Sequence, residues 1–277
     1  MTANRYARQS FLGVGSEKTF GSIRVGIAGL GGGGSHLAQQ FAHIGVGWPA
    51  LLDPQAIDET NLNRLVGGTQ EDVEKQTPKV EIAGRLIRAV NPRVTVIQVQ
   101  DHWQKRPELL QVCDFIFGCV DSFRERDQLE RLARRFLIPY LDLGMDVHTV
   151  GDYFVISGQL AFSLPDSPCL WCMGLLTEAR LAEEARTYCA AGGKPQVIWP
   201  NGILASSAVG LFVNSLFQWQ GDFEAPLLLE YDGNRHTVTE SNKTPTLRQM
   251  KCRHHDGSVG DRFWSLQSAA AAAAAAN

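Results

Sequence analysis

Gly29, Gly31 and Gly34 stand in the stretch GLGGGGS as G-x-G-x-x-G, with Gly32 between them. Set between an apolar run and a helical pattern, such a loop makes a tight turn free of side chains. Backbone N–H groups and the start of the helix then face a phosphate. Asp53 follows the next apolar run, where an acid grips a ribose in dinucleotide-binding folds. Beyond it comes the polar patch Asp58-Glu59-Thr60-Asn61-Leu62-Asn63-Arg64, then Lys79, then Asp121 at the end of the apolar run FIFGCV. An arginine, a lysine and acids around a phosphate loop suit ATP and its magnesium better than a hydride carrier. Acids hold a metal or a ribose, and cations neutralise phosphate charge that develops during transfer. An NAD- or FAD-dependent oxidoreductase would use the same loop but would have no need of Arg64, Lys79 or Asp121. A non-catalytic partner subunit that kept the fold would have no use for this set of charges.

Six cysteines are too few for a disulfide scaffold in 277 residues. Cys169 and Cys172 form C-x-x-C, and Cys252-Arg253-His254-His255 offers C-x-x-H. Two close-spaced pairs on separate loops are how a closed tetrahedral zinc site is built. Cys169, Cys172, Cys252 and His255 are its expected ligands, and His254 could replace His255 if the loop turns the other way. Cys113 and Cys119 lie in apolar runs and read as core thiols. Cys189 differs, because it sits in ARTYCAAGGKPQ, a segment punctuated by glycines and proline with Arg186 and Lys194 close by. Those cations would help depress a thiol pKa.

These residues need a scaffold, and the patterning supplies one. Ile23–Ala28 reads as a buried strand, Gly33–His43 as a helix and Ala50–Leu52 as the next strand, a parallel βαβ unit. A helix over Val80–Val90 stops at Asn91-Pro92, followed by strands Val94–Val99 and Phe115–Val120 and a charged amphipathic helix Glu125–Phe136. After Pro139–Leu143 the rhythm changes. Tyr153–Phe162 alternates like an antiparallel strand, and Leu228–Tyr231 with His236–Thr239 resembles a hairpin across Asp232-Gly233. Helices are expected over Glu178–Arg186 and, buried and rich in small residues, over Ile203–Leu216. The expected fold is α/β: a Rossmann-like, mostly parallel sheet with helices on both faces and an antiparallel C-terminal extension. The expected organisation is one domain over residues 1–268. It comprises an N-terminal helical arm (1–20), a nucleotide-binding half (21–150) and an antiparallel, zinc-binding half (151–268). The eight alanines Ala269–Ala276 are low-complexity and contribute nothing to this reading.

A formal net charge of −3 gives no electrostatic reason to expect nucleic-acid binding. No apolar run has membrane-spanning length and MTANRYARQSFLG lacks the apolar core of a secretion signal, so the cytoplasm is expected and no membrane partner.

In this order, several stretches resemble the ubiquitin-activating-enzyme-like adenylyltransferases, a superfamily that includes the thiamine- and molybdopterin-pathway sulfur-carrier activators. They are Arg5-Tyr6-Ala7-Arg8-Gln9, GLGGGGS, HIGVGWPALLD, Asn61-Leu62-Asn63-Arg64, QTPKVEIA and Cys119-Val120-Asp121-Ser122. The resemblance spans Arg5 to Leu216. It implies ATP- and magnesium-dependent adenylation of the C-terminal carboxylate of a small β-grasp ubiquitin-like or sulfur-carrier protein with a glycine-ended tail, with release of pyrophosphate. By position, Asp53 would bind the ribose and Asn61, Arg64 and Lys79 the triphosphate. Asp121 would bind magnesium and help place the carboxylate. Arg8 would reach across a homodimer interface to the phosphates. Leu65 stands where the family carries a glutamine. The family also implies zinc at the cysteine pairs and a role for Cys189 as acyl acceptor. A conjugating enzyme or a sulfur donor would act downstream. A rival reading within the class adenylates a peptide C-terminus or a modified tRNA base.

Overall fold

The structure is a computed structural model that describes residues 5–187, 195–219, 221, 224 and 227–255. One sheet organises it, with strand order β3-β2-β1-β4-β5-β6-β7-β8. The strands are β1 (Arg24–Ala28), β2 (Trp48–Leu52), β3 (Ile97–Val99), β4 (Phe115–Gly118), β5 (Tyr140–Val150), β6 (Tyr153–Ser163), β7 (Leu228–Asp232) and β8 (Thr237–Glu240). From β3 to β5 every pairing is parallel; β6, β7 and β8 add antiparallel. The expected α/β class with a C-terminal antiparallel extension is what the chain adopts. Strand order reverses between β1 and β4. An open sheet has its ligand crevice at such a switch, beyond the carboxyl ends of the strands.

The helices are α1 (Ser16–Ser22), α2 (Gly32–Ile44), α3 (Gln70–Glu74), α4 (Lys79–Val90), α5 (Glu108–Gln111), α6 (Phe123–Arg135), α7 (Glu178–Thr187), α8 (Ile198–Phe217) and α9 (Thr244–Arg248). The N-terminal arm adds a 3-10 turn over Ala7–Leu12. Two apolar clusters, one on each face, account for the layering. Leu37 and Phe41 of α2, Val80 and Ile87 of α4 and Leu204 and Phe212 of α8 cover one face. Leu129 and Ala133 of α6, Leu110, Trp103 and the loop around Leu170 cover the other. Phe212 is the hub of the first face. Its ring lies 4.9 Å from Phe115, 5.4 Å from Phe41 and 5.8 Å from Phe117. On length and composition α8 could cross a membrane, but here it lies against α2, β5 and β6 as a core helix.

The sequence expectations miss in instructive places. Helix α8 begins at Ile198 rather than Ile203 because Pro200 falls in its first turn, where the missing N–H costs no hydrogen bond. Helix α6 starts at Phe123, since the Ser122 hydroxyl accepts the Glu125 N–H at 3.2 Å. Strand β3 is only Ile97–Val99. Strand β5 does not stop at Leu143; it runs on to Val150 and pairs along its whole length with β6.

The glycine loop depends on close approach. Gly29 has φ of 88°, and a Cβ there would lie 2.7 Å from the Cys119 carbonyl oxygen. A Cβ at Gly34 would overlap the Gly29 carbonyl oxygen, so α2 can begin this near β1 only with glycine at that position. Gly210, exposed on α8, has nothing within 4 Å of an added Cβ. Gly34→Ala should therefore destabilise the fold by about 3 kcal/mol. Gly210→Ala should change stability by no more than about 1 kcal/mol, in the stabilising direction. Thermal unfolding followed by circular dichroism compares the two.

Candidate active site

The crevice at the switch point is built by four segments. The turn Gly29–Gly31 and the first turn of α2 form one wall, with Gly31 as the residue preceding the helix. An added Cβ at Gly31 would meet nothing within 4 Å, so this backbone faces open space. That is the geometry a helix N-terminus offers an anion. Asp53, at the end of β2, is buried and fixes the loop. Its Oδ2 accepts the Leu30 N–H at 2.6 Å and its Oδ1 accepts the Gln55 N–H at 2.8 Å. Both carboxylate oxygens thus hold backbone, whatever else they touch.

A 3-10 turn over Glu59–Asn61 carries the polar patch. Asn61 is buried, and its Oδ1 accepts the Asp58 N–H at 3.5 Å. The Arg64 guanidinium donates through Nη1 to the Thr60 carbonyl at 2.5 Å and to Asn63 Oδ1 at 3.0 Å. Ser35 in α2 ties this patch to the glycine loop, since its Oγ accepts the Val66 N–H at 3.0 Å. Leu65 turns inward and is buried with Ile57 and Ile82, so the departure from the family glutamine serves a small apolar cluster.

Lys79 opens α4 with its side chain buried, and its Nζ donates to Gln55 Oε1 at 2.7 Å. Burial pushes its pKa down, while Asp53, Asp58 and Asp121 pull it back up and Arg64 lowers it further. Asp53, Asp58, Asp121 and Arg64 therefore all sit within electrostatic reach of Lys79. Asp121 is exposed, just after β4. The stretch before it is held from below, because Arg126 donates to the Val120 carbonyl at 3.3 Å. Arg126 also pairs with buried Asp142 at 3.2 Å, and Asp142 in turn accepts the Tyr140 hydroxyl at 2.8 Å. Glu184 of α7 accepts the N–H groups of Phe123 and Arg124 at 2.8 and 3.0 Å, capping α6 beside Asp121.

Sequence reasoning missed Ser35, Arg126, Asp142 and Glu184 as supports of the site. For Arg126 a signal existed: Arg126, Glu130 and Arg134 recur four apart, and all three are buried on one face of α6.

Arg8 is exposed and stands away from this constellation. The arm that carries it docks at the far end of α2. There Gln9 Nε2 donates to the Ile44 carbonyl at 3.1 Å, and the Tyr6 ring lies where a Gly45 Cβ would go. A helix of 13 residues spans about 20 Å, so Arg8 does not reach the glycine loop of its own chain. Cys189 lies outside the described residues. Burial pushes the Cys113 thiol up to about 12 and the Cys119 thiol well above its ordinary value, as inert core thiols behave.

On the other face, Cys169, Cys172, Cys252 and His254 place their ligand atoms within 4.8 Å of one another. The Cys169 and Cys172 sulfurs are 3.7 Å apart, those of Cys172 and Cys252 3.9 Å, and His254 Nδ1 is 3.4 Å from both Cys169 and Cys172. Thiolates about 2.3 Å from a tetrahedral centre lie about 3.7 Å apart, so this donor set fits zinc. The Cys252 thiol is held low by its hydrogen bond with Cys169, with the His254 and His255 backbone also favouring the thiolate. The fourth donor here is His254 rather than His255. His254 stacks on Trp171 with ring centroids 5.8 Å apart, while the His255 ring groups instead with Glu130 and Cys169. Glu130 and Arg134 brace the loop: Glu130 accepts the Leu170 N–H at 3.1 Å, and Arg134 donates to the Pro165 and Ser167 carbonyls at 3.1 and 2.8 Å.

A 3-2-1-4-5 sheet with a glycine loop at its switch point and a ring of charges beyond it defines a Rossmann-like α/β protein with an anion-binding crevice. A family model, that of the ThiF family, matches residues 3–254, and the chain belongs to that family. It is 32% identical over 154 residues to the SAMP-activating enzyme E1 of Haloferax volcanii, covering 55% of this chain and 53% of that protein. It is 30% identical over 175 residues to the sulfur carrier protein ThiS adenylyltransferase of Bacillus subtilis, covering 61% and 50%. The chain thus spans about half the length of these curated relatives. Among solved structures, MccB of E. coli with ATP superposes with a TM-score of 0.70 at 18% identity, over 87% of this chain and 72% of that one. The fold is shared at that identity.

Zinc retention distinguishes the two histidines as donors. His254→Ala should abolish stoichiometric zinc retained after dialysis, measured by elemental analysis, whereas His255→Ala should keep it.

Proposed function

We propose that this protein uses ATP and magnesium to adenylate the C-terminal carboxylate of a polypeptide, releasing pyrophosphate. The observation that carries this reading is the gathering of Lys79, Arg64, Asp58, Asp53 and Asp121 beside a glycine loop open at Gly31. The names of the relatives support it: one activates SAMP, one adenylates ThiS, and MccB has been seen both with ATP and with MccA. A small β-grasp carrier protein and a short peptide both present the required carboxylate.

In the reaction a carboxylate oxygen attacks the α-phosphorus and forms the acyl–phosphate bond. The bond from that phosphorus to the pyrophosphate oxygen breaks, and the electron pair leaves with pyrophosphate. No proton moves and no protein nucleophile is needed. The chain supplies position and charge. The amides at the start of α2 hold phosphate, Lys79 balances the charge building on the leaving group, Arg64 balances the charge on the attacked α-phosphate, and Asn61 orients the chain of phosphates. Asp121 would hold magnesium, which as a Lewis acid screens the phosphate oxygens from the incoming carboxylate. Asp53 both fixes the loop and faces the ribose. Cys169, Cys172, Cys252 and His254 would hold zinc with four protein ligands, which would make its role structural. Transfer of the acyl group to Cys189, and then to a conjugating enzyme or a sulfur donor, extends the same reading.

Arg8 fits only as a group donated to a second copy's crevice, in a homodimer. Lys79→Ala should lower ATP–pyrophosphate exchange about 100-fold or more, and Arg8→Ala should do likewise without loss of thermal stability. Mixing the two inactive variants should then restore activity, because one crevice of each heterodimer carries both residues. With random exchange of subunits the recovery reaches about a quarter of the native rate. No recovery on mixing would remove Arg8 from the site.

A further inference from the structure

Next to Arg64 the crevice opens into a cavity of about 460 Å³. Its lining combines polar Thr60, Asn63 and Arg64 with apolar Val147 and Ile156 of the β5–β6 hairpin, Val197 and Trp199. Trp199 is 52% exposed and its neighbour Ile198 42%, an unusual outlay of large apolar surface at the mouth of a charged site. The wall is fixed to the site on both sides. Asn63 Nδ2 donates to the Gln196 carbonyl at 2.9 Å. Two residues beyond Trp199, the Asn201 amide nitrogen lies 2.5 Å from where a Gly32 Cβ would stand, so the first turn of α8 abuts the glycine loop.

From this juxtaposition we infer that the polypeptide substrate carries a bulky apolar side chain in one of its last two residues, and that Trp199, Val147 and Ile156 select it. The inference rests on the adenylation reading and specifies the substrate class of that same site. The activated carboxylate must lie by Arg64 and the glycine loop, so the residues just before it cross the cavity. Two glycines would leave the apolar wall in water, whereas a leucine would cover it. One such side chain in an apolar pocket is worth about ten- to hundred-fold in kcat/KM. The polar lining residues receive the carboxylate, and the apolar ones read its neighbour.

The test uses decapeptides and a β-grasp carrier protein, each made with the three endings Gly-Gly, Leu-Gly and Gly-Leu, in ATP–pyrophosphate exchange. A leucine ending should be preferred over Gly-Gly by tenfold or more on at least one scaffold. Trp199→Ala should shrink that preference to about threefold or less while leaving the KM for ATP unchanged. Exchange with Gly-Gly as fast as with either leucine ending overturns this inference and leaves the adenylation reading standing. A preference that survives Trp199→Ala and Ile156→Ser overturns it as well. Exchange with no ending on either scaffold overturns both.

Discussion

The crevice depends on how closely helix α2 approaches the end of β1. Gly34 permits that approach by having no Cβ to strike the Gly29 carbonyl, and Gly29 permits the turn by its positive φ. A helix started one residue farther out would still pack, but its free N–H groups would no longer face the switch point. Two buried polar contacts then convert close packing into a fixed geometry. Asp53 clamps Leu30 from the neighbouring strand, and Ser35 carries the Arg64 loop on the back of the helix. Each satisfies a backbone donor that burial would otherwise leave orphaned. The frame is therefore one hydrogen-bonded unit, and phosphate loop and cationic loop cannot shift independently.

Helix α6 does the corresponding work for the other strand. Its first turn stands beside Asp121, Arg126 at the end of that turn reaches the Val120 carbonyl, and Glu130 at its middle with Arg134 in its last turn holds the loop of Cys169 and Cys172. Burial raises the pKa of Glu130 to about 7 and raises that of Asp142, despite opposing cations. Desolvation of this kind makes such pairs poor sources of net stability. Their value lies in specifying where the strand end and the metal loop must be, because any other arrangement leaves a buried charge alone. The end of β4 at the crevice and the Cys/His cluster are thus held by one helix.

What could be read in the sequence follows from which signals are local. The glycine spacing, the 3.6-residue pattern of α2 and α4 and the apolar runs of β1 and β4 are each set within a dozen residues, and these elements came out within a few residues of their expected bounds. Strand β5 has no such local signal over its second half, Leu143 to Val150, which becomes a strand only by pairing with β6. The sequence of α6 shows a charged amphipathic helix; nothing local says that Asp142 and Ser163 lie opposite Arg126 and Arg134. The choice between His254 and His255 depends on how the chain turns after Cys252, and on the indole of Trp171 from a loop some eighty residues earlier. Long-range partners decide the polar interior, and a single sequence does not display them.

Lys79 shows why this order of construction matters for function. Taking an ammonium out of water costs several kcal/mol, and the free protein recovers part of that through Gln55 and three carboxylates while Arg64 opposes it. In the proposed reaction, a polyphosphate entering the crevice would bring the anionic charge that is missing. The cation is already in place, so in that reaction little solvent would have to reorganise as charge moved toward the leaving group, and the interaction would act in a medium less polarisable than water. Were Lys79 exposed on a long free side chain, the same contact would cost rotamer entropy at every turnover and would be screened by salt. The burial that weakens the resting protein is what would give a bound phosphate a strong and prepositioned partner.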